Sequence, residues 1–278
     1  MSDPRDPYRE FHVEPKINKL DVIAALREAY KGAWSNLGEM LRLIWLPGGL
    51  YLALNMVSVL LPTEGNLLLR LLVELATLGL WAIISVAWYR FILINETTKG
   101  TFQINFSFRE ARYLLVSILL ILLAVPSLLF AGPPNFPPAA TVSKALAGMG
   151  SAGSLVAFFG LLISFVCIYF LIRLLLLLPA TSIDEPLNIR MVLERTRGNF
   201  WRILSLCILS SLPLLVAYVF IVTVFVAANW PLSIALFFSS LLSIFFAIVN
   251  VAILAIAYRE LIGPPGTMAA EANNQYKD

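Results

Sequence analysis

Six stretches of the chain are almost unbroken apolar runs: Leu43–Leu61, Leu71–Ile94, Tyr113–Phe130, Leu155–Leu178, Ile203–Ala227 and Pro231–Ile256. As helices rising about 1.5 Å per residue, each is long enough to cross roughly 30 Å of hydrocarbon. Few charges lie away from their ends. The pattern predicts an all-α polytopic membrane protein with six transmembrane helices, paired as three helical hairpins.

Outside the runs the periodicity changes. In Asn18–Leu41, the residues Ile23, Leu26, Tyr30, Ala33, Leu37 and Leu41 recur at helical spacing, while Asp21, Arg27, Glu28, Lys31 and Ser35 occupy other faces. This predicts an interfacial amphipathic helix. A second is expected over Pro186–Arg197, with Ser182-Ile183-Asp184-Glu185 resembling a capping box and Pro186 suiting a first turn. Two readings stay open for both helices: a headgroup or partner-docking surface, or a seal over the bundle edge. In Thr101–Phe108, Phe102, Ile104, Phe106 and Phe108 alternate with polar residues, a period of two that predicts an extended segment. The Gly-, Pro- and Ala-rich connection Ala131–Ser154 reads as a loop, with a short helix over Thr141–Met149.

Composition agrees with the pattern. The chain is 59% hydrophobic and 13% charged, about half the charge of an average soluble domain. No stretch is long enough for a separate soluble domain. Residues 1–17 and 263–278 read as disordered cytoplasmic tails flanking a membrane domain over 18–262. Met1–Pro15 is polar and lacks a signal-peptide pattern, so the first span is expected to serve as the insertion signal. Cys167 and Cys207 fall inside spans and read as small packing residues.

Of the 20 Lys and Arg residues, only Arg70 and Lys144 fall on one side of the resulting topology. Cationic loops stay inside, so both termini are expected in the cytoplasm. The net charge of +3 follows from this asymmetry and gives no reason to expect nucleic-acid binding. The Asn95-Glu96-Thr97 sequon falls on the cytoplasmic side, where it would not be glycosylated.

The hairpins read as repeats over about 18–98, 99–181 and 182–262. Spans one, three and five carry Pro47, Pro126 and Pro213; spans two, four and six end near Arg90, Arg173 and Arg259. The proline spacings are 79 and 87 residues and the arginine spacings 83 and 86. All three units run in the same direction.

Ionisable groups inside spans are the natural candidates for function. Glu74 is the most interior acid, and Arg70 stands one turn before it on the same face. Together with Asn55 and Asn250 they form a candidate intramembrane polar site, for a proton relay or a cationic substrate. The competing reading is an interfacial ion pair and two packing asparagines. Arg90, Arg173 and Arg259 form a candidate site for an anionic headgroup, or else simple positive-inside anchors. His12 is the only histidine and lies in the N-terminal tail. No nucleophile, nucleotide-loop or zinc motif is present. No catalytic residue, metal or cofactor is therefore assigned, and no enzymatic activity is expected.

The stretch Arg173–Pro186, continuing through Glu194-Arg-Thr-Arg-Gly-Asn-Phe-Trp-Arg202, resembles the membrane domain fused to some bacterial glycerophosphoryl diester phosphodiesterases, and related uncharacterised polytopic membrane proteins. Ala24-Ala25-Leu26-Arg27-Glu28-Ala29 and Asn36-Leu37-Gly38 are similar in style. The phosphodiesterase's soluble barrel and its catalytic residues have no counterpart in this sequence. The resemblance implies a bacterial inner membrane protein and carries over no activity.

The expected function is thus a non-enzymatic accessory or scaffold role in the bacterial inner membrane, engaging anionic lipids or a membrane protein partner. The alternative is a small transporter or lipid-handling protein with a polar path near Glu74.

Overall fold

The computed structural model describes residues 19–60, 67–96, 106–130 and 137–270. The described residues form ten helices and no strand. They are α1 (Val22–Ser35), α2 (Leu37–Leu60), α3 (Leu67–Ile94), α4 (Phe108–Phe130), α5 (Pro137–Gly148), α6 (Ser151–Leu174), α7 (Leu177–Ser182), α8 (Ile189–Arg195), α9 (Phe200–Ala227) and α10 (Leu232–Leu261). Six of them, α2, α3, α4, α6, α9 and α10, are long and apolar enough to span a membrane. The protein is an all-α, multi-pass membrane protein.

Each hairpin is the closest-packed pair of its region: α2 with α3, α4 with α6, α9 with α10. Pro47, Pro126 and Pro213 lie inside the first helix of each pair. Helix α10 is central and touches α9, α1, α3, α2 and α7. In the second hairpin, Gly160 permits the close approach of α6 to α4. A Cβ there would lie 2.3 Å from the Phe130 ring.

Local chemistry sets the helix starts. Asp21 caps α1 by accepting from the N–H groups of Ile23 (3.1 Å) and Ala24 (3.0 Å). Ser107 and Glu110 form a capping box at α4, where the Ser107 N–H donates to Glu110 at 2.8 Å. Helix α1 buries Ala25, Ala29 and Ala33 against the bundle, a narrow face of small residues. Leu26, Tyr30 and Leu37 pack partly behind it, whereas Ile23 and Leu41 are exposed. The amphipathic helix also stops at Ser35; a turn at Asn36 separates it from α2.

The region after the fourth span departs from its expected course. Ser182 ends α7 rather than opening a helix, and α8 starts later, capped by Asn188. Within residues 263–270, the part of the expected C-terminal tail that is described, Met268 is fully buried while Pro264, Pro265 and Ala270 are exposed. The expected tail over 1–17, with His12, lies outside the described residues. So do Thr97 of the sequon, most of the alternating Thr101–Phe108 segment, and residues 271–278.

Candidate functional site

Charged and hydrogen-bonding side chains gather at one end of the bundle, where α1, α7, α8 and the last turns of α3, α6 and α10 meet. This basic end holds two interlocking sets of contacts.

The first centres on the turn between α7 and α8. Asp184 sits there at φ 63°, in the left-handed region that aspartate tolerates better than most residues. Its carboxylate accepts from Arg109 Nε at 2.9 Å and from Arg90 Nη1 at 3.1 Å. Arg90 also donates to the Ser182 carbonyl at 3.1 Å and pairs with Glu96. Burial alone would raise the Asp184 carboxyl, but Arg109 and then Arg90 outweigh it and hold it below the usual aspartate range. Next in sequence, Glu185 is 4% exposed. It accepts from the Tyr258 hydroxyl at 2.9 Å and from the N–H groups of Gly266 and Met268, the latter at 3.1 Å. Its own carbonyl accepts from Arg112 at 2.9 Å. One turn therefore ties α3, α4, α10 and the segment after α10 together.

The second set fastens α6, α8, α9 and α1. Arg173 is 7% exposed. It donates to Thr196 Oγ1 at 2.9 Å, to the Tyr169 hydroxyl at 2.7 Å and to the Leu193 carbonyl, and it lies 5.1 Å over the Tyr169 ring. Asn199, also buried, accepts from the Leu20 N–H at 3.2 Å, and Arg202 donates to the Leu20 carbonyl at 2.8 Å. The chain entering α1 is thus clamped from both sides by the start of α9.

Arg90, Arg173 and Arg259 consequently occupy three different settings. Arg90 belongs to the Asp184 network, and Arg173 is buried among protein acceptors. Arg259 forms an exposed pair with Glu28 at 2.7 Å, on the rim between α10 and α1. Their guanidiniums are engaged by separate protein groups and do not converge on one opening.

Of the intramembrane candidates, Asn55 and Asn250 make their hydrogen bonds to other groups. Asn55 donates to the Tyr51 carbonyl of its own helix at 3.0 Å. Asn250 donates to the Phe246 carbonyl at 3.0 Å and accepts from Ser210 of α9 at 2.7 Å, bridging the third hairpin. Glu74 is exposed on α3. Arg70 is on the same helix, with its side chain outside the described residues.

Sequence reasoning missed Glu185, Asn199 and Arg202 as a set. The Asp-Glu-Pro step signalled a local cap, and nothing in it signals partners 73 to 83 residues away. The stretch that carried the family resemblance does contain Arg173, Thr196, Asn199 and Arg202 of the second set, but not their partners Tyr169, Leu193 and Leu20. No family model, curated protein or solved structure matches this chain.

Proposed function

We propose that this membrane protein is a non-enzymatic accessory or scaffold of the bacterial inner membrane, with its basic end and both termini in the cytoplasm. The lipid-facing hairpins hold it in the bilayer, and the basic end presents a rigid surface to lipids or a membrane protein partner. The observation that carries this reading is how the polar side chains are used. At the basic end they join hairpin to hairpin, so the charged residues build a platform. Exposed Trp34, Trp201 and Phe108 at that end supply aromatic anchors of the kind found at headgroup level. The sequence resemblance to the membrane domain of glycerophosphoryl diester phosphodiesterases is compatible with the same reading. A transport path through Glu74 has less support, because Glu74 is exposed instead of enclosed among helices.

Native mass spectrometry of protein extracted directly into lipid nanodiscs tests the proposal, together with flux assays in liposomes. A reproducible copurifying membrane protein is the expected result. A monomer without partner that conducts a solute, with flux abolished by Glu74→Gln, would overturn it in favour of transport.

A further inference from the structure

Where α1 crosses the last turns of α3 and α10, a cavity of about 280 Å³ opens at the basic end. Its wall carries both signs of charge, Glu28 from α1 and Arg259 from α10, beside Asn36 and the aromatic pair Trp88 and Phe91. The side chains of Arg259 and Glu28 are 45% and 50% exposed despite their contact. A guanidinium has five N–H donors and a carboxylate about four acceptor positions, so one hydrogen bond leaves most of that capacity for a ligand. Trp88 is 1% exposed, and its indole Nε1–H is buried without a hydrogen-bond partner among the described residues. A buried donor is normally satisfied, and an acceptor on a ligand would satisfy this one. The Trp88 and Phe91 rings stack at 5.0 Å and 12°; Trp88 is covered, so the half-buried Phe91 supplies the aromatic face for a cation.

A second cavity, of about 310 Å³, lies between α2 and α10 and is lined by apolar side chains and by Gly48 and Gly49. Ala252 lines the first cavity and Ile248 the second, so only one helical turn of α10, about 6 Å, separates them. On the opposite wall Asn36 and Leu37 are chain neighbours. A polar cavity at the span boundary is thus followed, toward the membrane interior, by an apolar slot.

We propose that the two cavities bind one phospholipid with a zwitterionic, primary-ammonium headgroup. The phosphate meets Arg259 and the Trp88 indole, the ammonium meets Glu28 and the Phe91 ring, and one acyl chain follows α10 past Gly48 and Gly49. Charge complementarity selects this occupant. An anionic lipid would satisfy Arg259 but face Glu28, and a choline headgroup has no N–H to donate to the carboxylate. The inference stands apart from the scaffold reading, since it requires no protein partner.

The test is native mass spectrometry of delipidated protein titrated separately with phosphatidylethanolamine, phosphatidylglycerol, phosphatidylcholine and free O-phosphoethanolamine. One phosphatidylethanolamine per protein is expected, held roughly tenfold tighter than the other lipids, as the loss of one charged hydrogen bond implies. Free O-phosphoethanolamine should bind far more weakly. A Cβ at Gly32, in the first cavity, or at Gly49, in the slot, would meet nothing within 4 Å. Gly32→Leu and Gly49→Leu therefore add bulk beside the two spaces from a Cβ that meets no neighbour, and each should lower retention about tenfold or more. Glu28→Gln should erase the preference for ethanolamine over choline. Equal retention of the three lipids overturns the proposal, as does retention unchanged in either leucine variant. Free O-phosphoethanolamine binding as tightly as the lipid would overturn it too, by placing the ligand in solution.

Discussion

Helices α9 and α10 belong to one hairpin and are nearly equal in hydropathy, yet 6% of one apolar window is buried and 56% of the other. Side-chain size contributes to the difference, although α10 also buries large residues such as Ile248, Ile253 and Tyr258. Helix α10 turns Ala252, Ala255 and Ala257 inward, none more than 4% exposed, and neighbours on several sides approach it closely. Helix α9 turns Leu212, Leu215, Val216 and Phe220 outward, all exposed. Lipid tails solvate leucine as well as a protein core does, so apolarity alone gives no preference for the interior. Small residues permit close packing, and that helps decide which helix becomes central.

The strongest way to break this contrast is to release the end of α10. Glu185→Ala leaves the Tyr258 hydroxyl and the Gly266 and Met268 N–H groups without their acceptor. At about 1–3 kcal/mol for each of the two buried groups, on Tyr258 and Met268, the loss should reach ~2 kcal/mol or more. Thermal melting in detergent would register it, along with faster hydrogen exchange at Gly266 and Met268. Next comes a size swap. Ala255→Leu should cost about 1–3 kcal/mol through overpacking, while Leu215→Ala on the exposed face of α9 should stay within about 0.5 kcal/mol. Equal effects of the two in the same melting assay would sink the size argument. Smaller still is the polar bridge between Ser210 and Asn250 across the hairpin. Ser210→Ala removes the hydrogen bond to Asn250 and should cost on the order of 0.6 kcal/mol, the average for such bonds in membranes.

The weakest effect belongs to a region away from this hairpin. Asp184 titrates below the unfolded value near 3.8 because arginines hold its charged form. Its contribution to stability is therefore complete above that value and fades as pH falls through the lower, folded one. Asp184→Asn should flatten the acid limb of the melting profile and leave the Ser210–Asn250 bridge intact. An unchanged acid limb would mean that the carboxylate adds nothing to folding.

What the sequence made legible follows the same physics. Six spans were readable because length and apolarity are properties of a contiguous segment. Helix α2 begins at Leu37, six residues before the expected Leu43, and α4 at Phe108, five before Tyr113, because polar residues such as Arg42 and Arg112 extend each helix beyond its apolar run. The inward face of α1 was less legible. Alanines at 25, 29 and 33 score weakly as hydrophobic, yet they fit the surface of α10, while the larger Ile23 stays outside. The polar end was the least readable. Arg173 and its partner Thr196 are 23 residues apart, and Asn199 and Leu20 are 179 apart. Such pairings depend on how the hairpins stack, and no local pattern encodes them.

The Glu185 contacts also order events in time. During synthesis Glu185 leaves the ribosome 81 residues ahead of Gly266, an interval on the order of ten seconds at typical elongation rates. Until Tyr258 is made, 73 residues after Glu185, the carboxylate has none of its three donors, and Gly266 and Met268 follow later still. The arginine contacts of the turn between α7 and α8 can form as soon as it is made, whereas its Glu185 carboxylate contacts wait for α10 and the segment after it. A chain arrested before Tyr258 would hold that turn through Arg90, Arg109 and Arg112 alone, and the third hairpin adds the Glu185 carboxylate contacts last.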